Sequence, residues 1–422
     1  MNFNTTPDYA RFLDQQDALI AYREAFVIDD PALIYMDGNS LGRLPRASRE
    51  RLHEVINSQW GIGLINSWGE HWYDAPGRIG GMLAGLLGAE ADQVIVGDST
   101  SVNLYKLVMA VLSVRRGRKR IVSDTLNFPT DLYVFQGCIE TLGEGHTLEL
   151  VESQDGITID PQDVKKAITS DTALAAFSTP TFKSGFLYDI QSLTKAAHEK
   201  GALVLWDLSH CTGVVPLELD AWEVDFAVGC TYKYLNGGPG SPAFLYVRRE
   251  LLEGLSAGLH GWWGHRAPFA FDLDFQAADG INRFLVGTPP VLSMMAIEPA
   301  LDVVAHAGVD QIREKSILLT EYLIALHDVV LEPLGFRLGS PRLSSQRGSH
   351  VSIQHVDGYR ISQALIHEMQ VVPDFREPDN IRLGMAPLYT SFDDVWQAVD
   401  RIKQVVEKGR HLAYSPNRQV VT

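Results

Sequence analysis

The sequence predicts an α/β fold: a large, mostly parallel sheet covered by helices, followed by a smaller α+β portion. Three observations lead there. From about residue 93 to residue 247, short apolar runs alternate with helical patterns, the signature of parallel strands joined by helical crossovers. After about residue 290 the rhythm changes to two long helical patterns, then short strands and a final helix. A chain of 422 residues, 45% hydrophobic, is ample for a large core and for two or three domains at roughly 150 residues each.

The elements follow in order. Gln93–Gly97 is a short apolar run, and Leu104, Leu107, Val108, Val111 and Leu112 then fall on one helical face. Residues 120–123 read as a strand, 130–142 as a helix, 146–151 as a strand, 160–169 as a helix and 173–177 as a strand. A helix over 189–200, capped by Gly201, leads into a strand ending at Asp207, with further strands at 225–228 and 243–247. Beyond 290, helices at about 293–305 and 309–330 precede strands near 336–339, 350–354, 369–373 and 380–384 and a helix over 391–408. Near the N-terminus a helix at about 45–60 carries Leu52, Val55, Ile56 and Trp60 on one face. The expected division is an N-terminal segment, 1–74, packing with a small domain, 293–422, and a large domain over 75–292.

Composition excludes several functions. Lys plus Arg number 36 against 52 Asp plus Glu, a net charge of −16, which disfavours general nucleic-acid binding because phosphate contacts come from basic residues. The basic run Arg115–Arg120 contains a Gly and follows a helical pattern, so it reads as a solvated helix end. Residues 1–8 show no basic region before an apolar stretch, and no signal peptide is expected. The longest apolar run, Leu107–Val114, is far short of the ~20 residues of a membrane helix. Three cysteines, Cys138, Cys211 and Cys230, suit a reducing compartment. A cytoplasmic protein without membrane or nucleic-acid partners is expected.

Ligands of open parallel sheets sit beyond the carboxyl ends of the strands, so strand-end residues carry the chemistry. Gly97-Asp98-Ser99-Thr100-Ser101 opens a helix with small hydroxyl residues, as a phosphate cup does and as ordinary N-capping also does. In Asn127-Phe128-Pro129-Thr130-Asp131 an aromatic beside a proline could stack on a flat ring or simply precede a helix. Asp207 ends an apolar strand with His210 close behind; the two fit a metal site or a carboxylate paired with a cationic heterocycle. No other His, Cys or carboxylate cluster has ligand spacing, which weighs against a metal. Lys233, between two tyrosines and before Gly237-Gly238-Pro239-Gly240, is an odd surface residue but a reasonable carbonyl-trapping amine. Asp207 and Lys233, 26 residues apart, match the two anchors of a pyridoxal phosphate ring.

These segments resemble the kynureninase family. The resemblance is carried by Asp37-Gly38-Asn39-Ser40-Leu41-Gly42, Asn127–Asp131, Trp206–His210 and Tyr232–Gly240, together with Gly261-Trp262-Trp263-Gly264-His265, Gly287-Thr288-Pro289-Pro290, Arg347–Ser352 and Phe375-Arg376-Glu377-Pro378. They occur in the family's order from residue 34 to about 396, in forms closer to bacterial than to animal members. The resemblance implies the aspartate-aminotransferase-like fold (fold type I) with a seven-stranded sheet, pyridoxal 5'-phosphate bound within 75–292, and a homodimer with active sites at the interface. It implies that Lys233 carries the cofactor, that Asp207 pairs with the ring nitrogen, and that Phe128 stacks on the ring near Asp131, Ser178 and His210. Thr100, Ser101 and Tyr232 would hold the phosphate, and Trp262 and Thr288 would reach in from the other subunit. Tyr232 would also relay a proton with Lys233, and Arg382 and Asn39 would bind the substrate, Arg382 by its α-carboxylate. The implied activity is hydrolytic Cβ–Cγ cleavage of L-kynurenine or 3-hydroxykynurenine to anthranilate or its 3-hydroxy form and L-alanine, in tryptophan catabolism and NAD biosynthesis. An aminotransferase and a cysteine desulfurase share the fold, and a catalytically dead member would lack Lys233 or Asp207, both present here. No Cys follows Cys230, where a desulfurase needs one. Trp68–Tyr73, with His71, lies where contacts to the substrate ring are expected.

Overall fold

A computed structural model describes residues 3–417; the ends of the expected terminal segments, 1–2 and 418–422, lie outside the described residues. Strands β1 (Val94–Val96), β2 (Arg120–Asp124), β3 (Thr147–Val151), β4 (Thr172–Ser178), β5 (Leu203–Asp207), β6 (Phe226–Gly229) and β7 (Phe244–Val247) form one sheet in the order β1-β7-β6-β5-β4-β2-β3. Only β7 runs antiparallel to its neighbours. Strands β4, β5 and β6 are buried along their whole length, which is why they read as unbroken apolar runs. Their side chains alternate between two cores. Ala175, Phe177, Val204 and Trp206 face one, while Leu174, Ala176, Leu203 and Leu205 face the other. Helices Thr100–Val114, Pro129–Leu142, Pro161–Ala167 and Ile190–Glu199 lie between successive strands.

A second, antiparallel sheet contains β8 (Arg337–Leu338), β9 (His350–Gln354), β10 (Asp374–Arg376) and β11 (Asn380–Gly384), ordered β10-β11-β9-β8. The strand expected at 369–373 shortens to Val371–Val372 and does not join this sheet; it pairs in parallel with Ile34–Tyr35. The expected helix over 45–60 is α-helical only from Arg46 to Glu54 and continues as a π-helix over Val55–Gly63. The wider winding turns Ile56 and Trp60 outward, leaving them 45% and 55% exposed, while Val55 is buried. The pattern expected over 309–330 also changes to π winding, after Leu326.

The N-terminal segment is pinned to the C-terminal part at several points. Helix Pro7–Gln16 packs against helix Phe392–Glu407. Between them and helix Val309–Leu326, Asp17 and Lys315 form an ion pair of 2.6 Å with both side chains buried. Removing one partner strands the other charge in a place water does not reach, at a cost of about 3–5 kcal/mol. Lys315→Met is therefore expected to lower the urea midpoint of unfolding clearly; a midpoint equal to that of the parent would show that the pair adds nothing.

Candidate active site

A cavity of about 440 Å³ opens beyond the carboxyl ends of β4, β5 and β6, a volume suited to a cofactor with part of its substrate. Of the residues singled out in the sequence, it brings together Thr100, Ser101, Phe128, Asp131, Ser178, Asp207, His210, Tyr232 and Lys233. At one end Ser99 caps helix Thr100–Val114 by accepting from the Val102 N–H at 3.4 Å. The first-turn N–H groups of such a helix lack helical partners and suit an anion. Phe128 stands at the start of helix Pro129–Leu142, 40% exposed, with its ring edge-on to Phe182 at 5.3 Å.

Asp207 closes β5 in the cavity floor, 4% exposed, with one carboxylate oxygen accepting from the Ser209 N–H at 2.8 Å. Its carboxyl is hydrogen-bonded to that of Asp131. Burial raises the pKa of both. The shared hydrogen bond, which needs a proton, raises Asp131 further and lowers Asp207. A proton shared between the two carboxyls leaves the pair one negative charge, ready for a cationic ring nitrogen.

The Lys233 Nζ lies 3.0 Å from His210 Nε2. Burial, and then Lys233, Arg382 and His350, push the His210 pKa well below its ordinary value, so the imidazole is neutral and accepts from the lysine. His350 packs on it, ring centroids 5.6 Å apart. The Tyr232 pKa is raised by its neighbour Cys230 and by burial, leaving a protonated phenol. This donor set fits pyridoxal phosphate: an amine for the aldehyde, a buried carboxylate for the ring nitrogen, an aromatic face and a helix start.

Arg382 and Asn39 do not line this cavity. Arg382 lies on β11, flanked on both sides by β10 and β9, so it is no edge-strand charge. Its Nη1 donates to Phe182 O at 2.6 Å and its Nη2 to Ser40 Oγ at 2.7 Å, and it pairs with Asp374. With the Asn39 amide oxygen turned toward it, Arg382 Nε also donates there at 2.8 Å. Asp37 stands 3.9 Å from the guanidinium. Its pKa is raised to about 6 by burial and by the Asp374 carboxylate. Trp262, 38% exposed, and Thr288, also exposed, do not line the cavity of their own chain. His71 is exposed beside Glu70.

The segment Asp37–Gly42 links these two places. Gly42 donates its N–H to Tyr232 O at 2.8 Å. A Cβ there would lie 2.4 Å from Lys233 O and 2.3 Å from Asn236 Oδ1. At the other end, a Cβ on Gly384 would lie 1.7 Å from Asn39 Oδ1. The segment is therefore wedged between the Lys233 loop and the Arg382 strand.

Several cavity residues were not legible beforehand. Ser209 and Ser241 line the wall, but a serine in a loop carries no signal of its own. Asp98 also lines it, inside the predicted cup. Asp374 was missed with its strand; the β10/β11 register, which only the structure shows, sets it opposite Arg382. Among the described residues, no group of three or more His, Cys, Asp or Glu is placed to hold a metal ion.

Comparisons with known proteins bear on the family and the fold. The Kynureninase C-terminal domain profile matches residues 312–402. A Burkholderia mallei protein named kynureninase is 44% identical over 408 residues, covering 95% of this chain and 96% of that protein. A Pseudomonas fluorescens kynureninase is 42% identical over 409 residues, covering 96% of each. Among solved structures, a cysteine desulfurase of Escherichia coli superposes with a TM-score of 0.79 at 18% identity, over 92% of this chain and 98% of that one. That likeness establishes a fold shared with the desulfurases.

The wedge is directly testable. Gly42→Ala pushes the Lys233 backbone away, and displacements of about 1 Å at such a site cost on the order of 100-fold in rate. Turnover is expected to fall by that order with the circular-dichroism spectrum retained. Parent-like turnover would show that the segment does not position the lysine.

Proposed function

The chain belongs to the kynureninase family, and from that membership we propose that it is a pyridoxal-phosphate-dependent hydrolase of carbon–carbon bonds that cleaves L-kynurenine or 3-hydroxykynurenine. The products are anthranilate or its 3-hydroxy form and L-alanine; one water is consumed across the Cβ–Cγ bond. The observation that carries the reading is the joining of a lysine amine, an Asp131–Asp207 carboxyl pair and a helix start in one cavity.

When bound, the cofactor supplies an electron sink for the substrate Cα. The chain's own groups do the rest. Lys233 would capture the aldehyde and later carry the Cα proton, with neutral His210 accepting from its amine and keeping it aimed. Asp207 would hold the ring nitrogen protonated, and Asp131 would keep Asp207 anionic by donating to it. Phe128 would lie on the ring face, with Ser178 at its margin. Thr100, Ser101 and Tyr232 would hold the phosphate, where the protonated Tyr232 phenol can return a proton to the product carbon. Arg382, held by Asn39 and Ser40, would take the substrate α-carboxylate.

We read 75–292 as the cofactor-binding unit, completed by 1–74 and 293–422. A homodimer is supported by the exposed apolar side chains of Trp60, Ile62, Leu64, Ile65, Phe269 and Phe271. Trp262 and Thr288, exposed and outside the lining of their own cavity, would then serve the partner's. The three cysteines are free and buried, in keeping with a cytoplasmic location. Among the described residues no helix is long and apolar enough to cross a membrane. A desulfurase reading has little support: burial pushes the Cys138 and Cys211 thiols up to about 12 and raises Cys230 as well, the opposite of a reactive thiolate.

Lys233→Ala is expected to abolish turnover and to remove the borohydride-reducible visible absorbance of the purified enzyme; an active Lys233→Ala enzyme would sink the assignment. Arg382→Lys gives up a two-pronged carboxylate contact, and its KM for kynurenine should rise about 10- to 100-fold. An unchanged KM would remove Arg382 from the substrate site. Paired steady-state assays on kynurenine and 3-hydroxykynurenine, following each aromatic product, decide between the two substrates.

A further inference from the structure

The predicted phosphate cup contains a charge of the wrong sign. Asp98 lines the same cavity as Thr100 and Ser101, with its side chain 30% exposed, and an unpaired carboxylate there would repel a dianionic phosphate. It also adopts a left-handed backbone, φ 51°, which residues other than Gly, Asn and Asp seldom take. That turn is held on both sides of the strand end: Gly97 N–H donates to Ala243 O at 2.8 Å, and Ala243 N–H to Asp98 O at 2.9 Å.

The partner of Asp98 is a lysine on the buried, largely apolar face of helix Thr100–Val114, where the one other polar side chain, Asn103, donates to Gly97 O at 3.0 Å. Lys106, 1% exposed, places Nζ 2.9 Å from Asp98 Oδ2. The same ammonium donates to Phe284 O at 2.6 Å. Burial disfavours the charged lysine and Asp98 opposes that effect. An ammonium in this position is an expensive way to fill a helix face. A packing residue between Leu104 and Leu107 would be apolar. What the ammonium provides instead is a charge matched to the carboxylate at the cup.

We propose that Lys106 is a positioning residue for the cofactor's phosphate: by pairing with Asp98 it cancels the carboxylate adjoining Thr100 and Ser101 and fixes the left-handed turn from which the cup starts. The proposal rests on the reading of this cavity as the pyridoxal phosphate site. It treats Asp98 and Lys106 as one unit, so that the carboxylate without its ammonium is worse for the phosphate than the ion pair or a neutral pair.

The test measures dissociation constants of pyridoxal phosphate, and of pyridoxal lacking the phosphate, on the purified chain and its variants. Lys106→Met is expected to weaken pyridoxal phosphate about 10- to 100-fold and pyridoxal by no more than about threefold. Adding Asp98→Asn, which removes the charge and tolerates the left-handed turn, should return pyridoxal phosphate affinity to within about threefold of the parent. A Lys106→Met chain that binds as the parent does, one that loses both ligands equally, or a double variant without recovery overturns the proposal, the last by assigning Lys106 to the Phe284 contact instead. If Lys106→Met does not fold, Asp98→Asn alone decides: tighter pyridoxal phosphate binding than the parent supports the proposal, and unchanged or weaker binding overturns it. A parent chain that binds no pyridoxal phosphate removes the site reading itself, and this inference with it.

Discussion

The wedge formed by Asp37–Gly42 is the constraint on which the two halves of the site depend. One end is fixed to the Lys233 loop by the Gly42 N–H bond to Tyr232 O. The other end supplies Asn39 and Ser40 to the Arg382 guanidinium. Neither contact could form if the segment were free to choose its path. Its path is chosen by the short parallel pairing of Ile34–Tyr35 with Val371–Val372, and by the Asp37–Gly384 bridge that follows. An N-terminal strand of two residues would be worthless alone. Docked here, it carries the alignment of a lysine on one sheet with an arginine on another.

Burial then sets the protonation of the groups so aligned. A chain with a net charge of −16 gathers Lys233, Arg376 and Arg382 around His210, and their positive charge with burial keeps that imidazole neutral. The same burial raises Asp131 until it shares its proton with Asp207. The neutral base and the protonated acid are thus consequences of one cause acting on groups of opposite type. In water Asp131 would lose its proton, and His210 would be charged in part of the molecules near neutral pH. Net charge described the surface and was silent about this interior.

How much was legible in the sequence follows from which signals burial leaves behind. Strands β4, β5 and β6 are covered on both faces and therefore announce themselves as apolar runs. Asp207 and Lys233 stood out because a charge at the end of such a run has no packing reason to be there. Arg382, inside β11, was named through the family resemblance. Strand β10 was not legible, since Asp374-Phe375-Arg376 has a single apolar residue and no alternation to detect, and Asp374 went with it. Lys106 escaped because a lysine in a helical pattern passes for a solvated residue; only the fold shows that its face is buried. The π winding over 55–63 had no signal in apolar spacing, which assumes the α-helical period. Trp262 and Thr288 belong to another limit, for no geometry within one chain can assign residues that do not line its own cavity.

Charge attraction alone could not produce this arrangement, because it is not directional. Arg382 has carboxylates on Asp374 and Asp37 within reach, and Lys233 has Asp207 and Asp131 close by. Many placements of these groups would satisfy the same pairings. What removes the alternatives is steric. A Cβ on Gly42 would need the volume of the Lys233 carbonyl and the Asn236 side chain, and one on Gly384 the volume of the Asn39 side chain, so the wedge has little freedom of seating. The close fit fixes the path of the segment between the Lys233 loop and the Arg382 strand, and the Asp374 pair and the His210 contact then hold the guanidinium and the amine within that frame. Packing supplies the specificity here and electrostatics the chemistry, and the glycines of the 37–42 segment are the point at which the first is converted into the second.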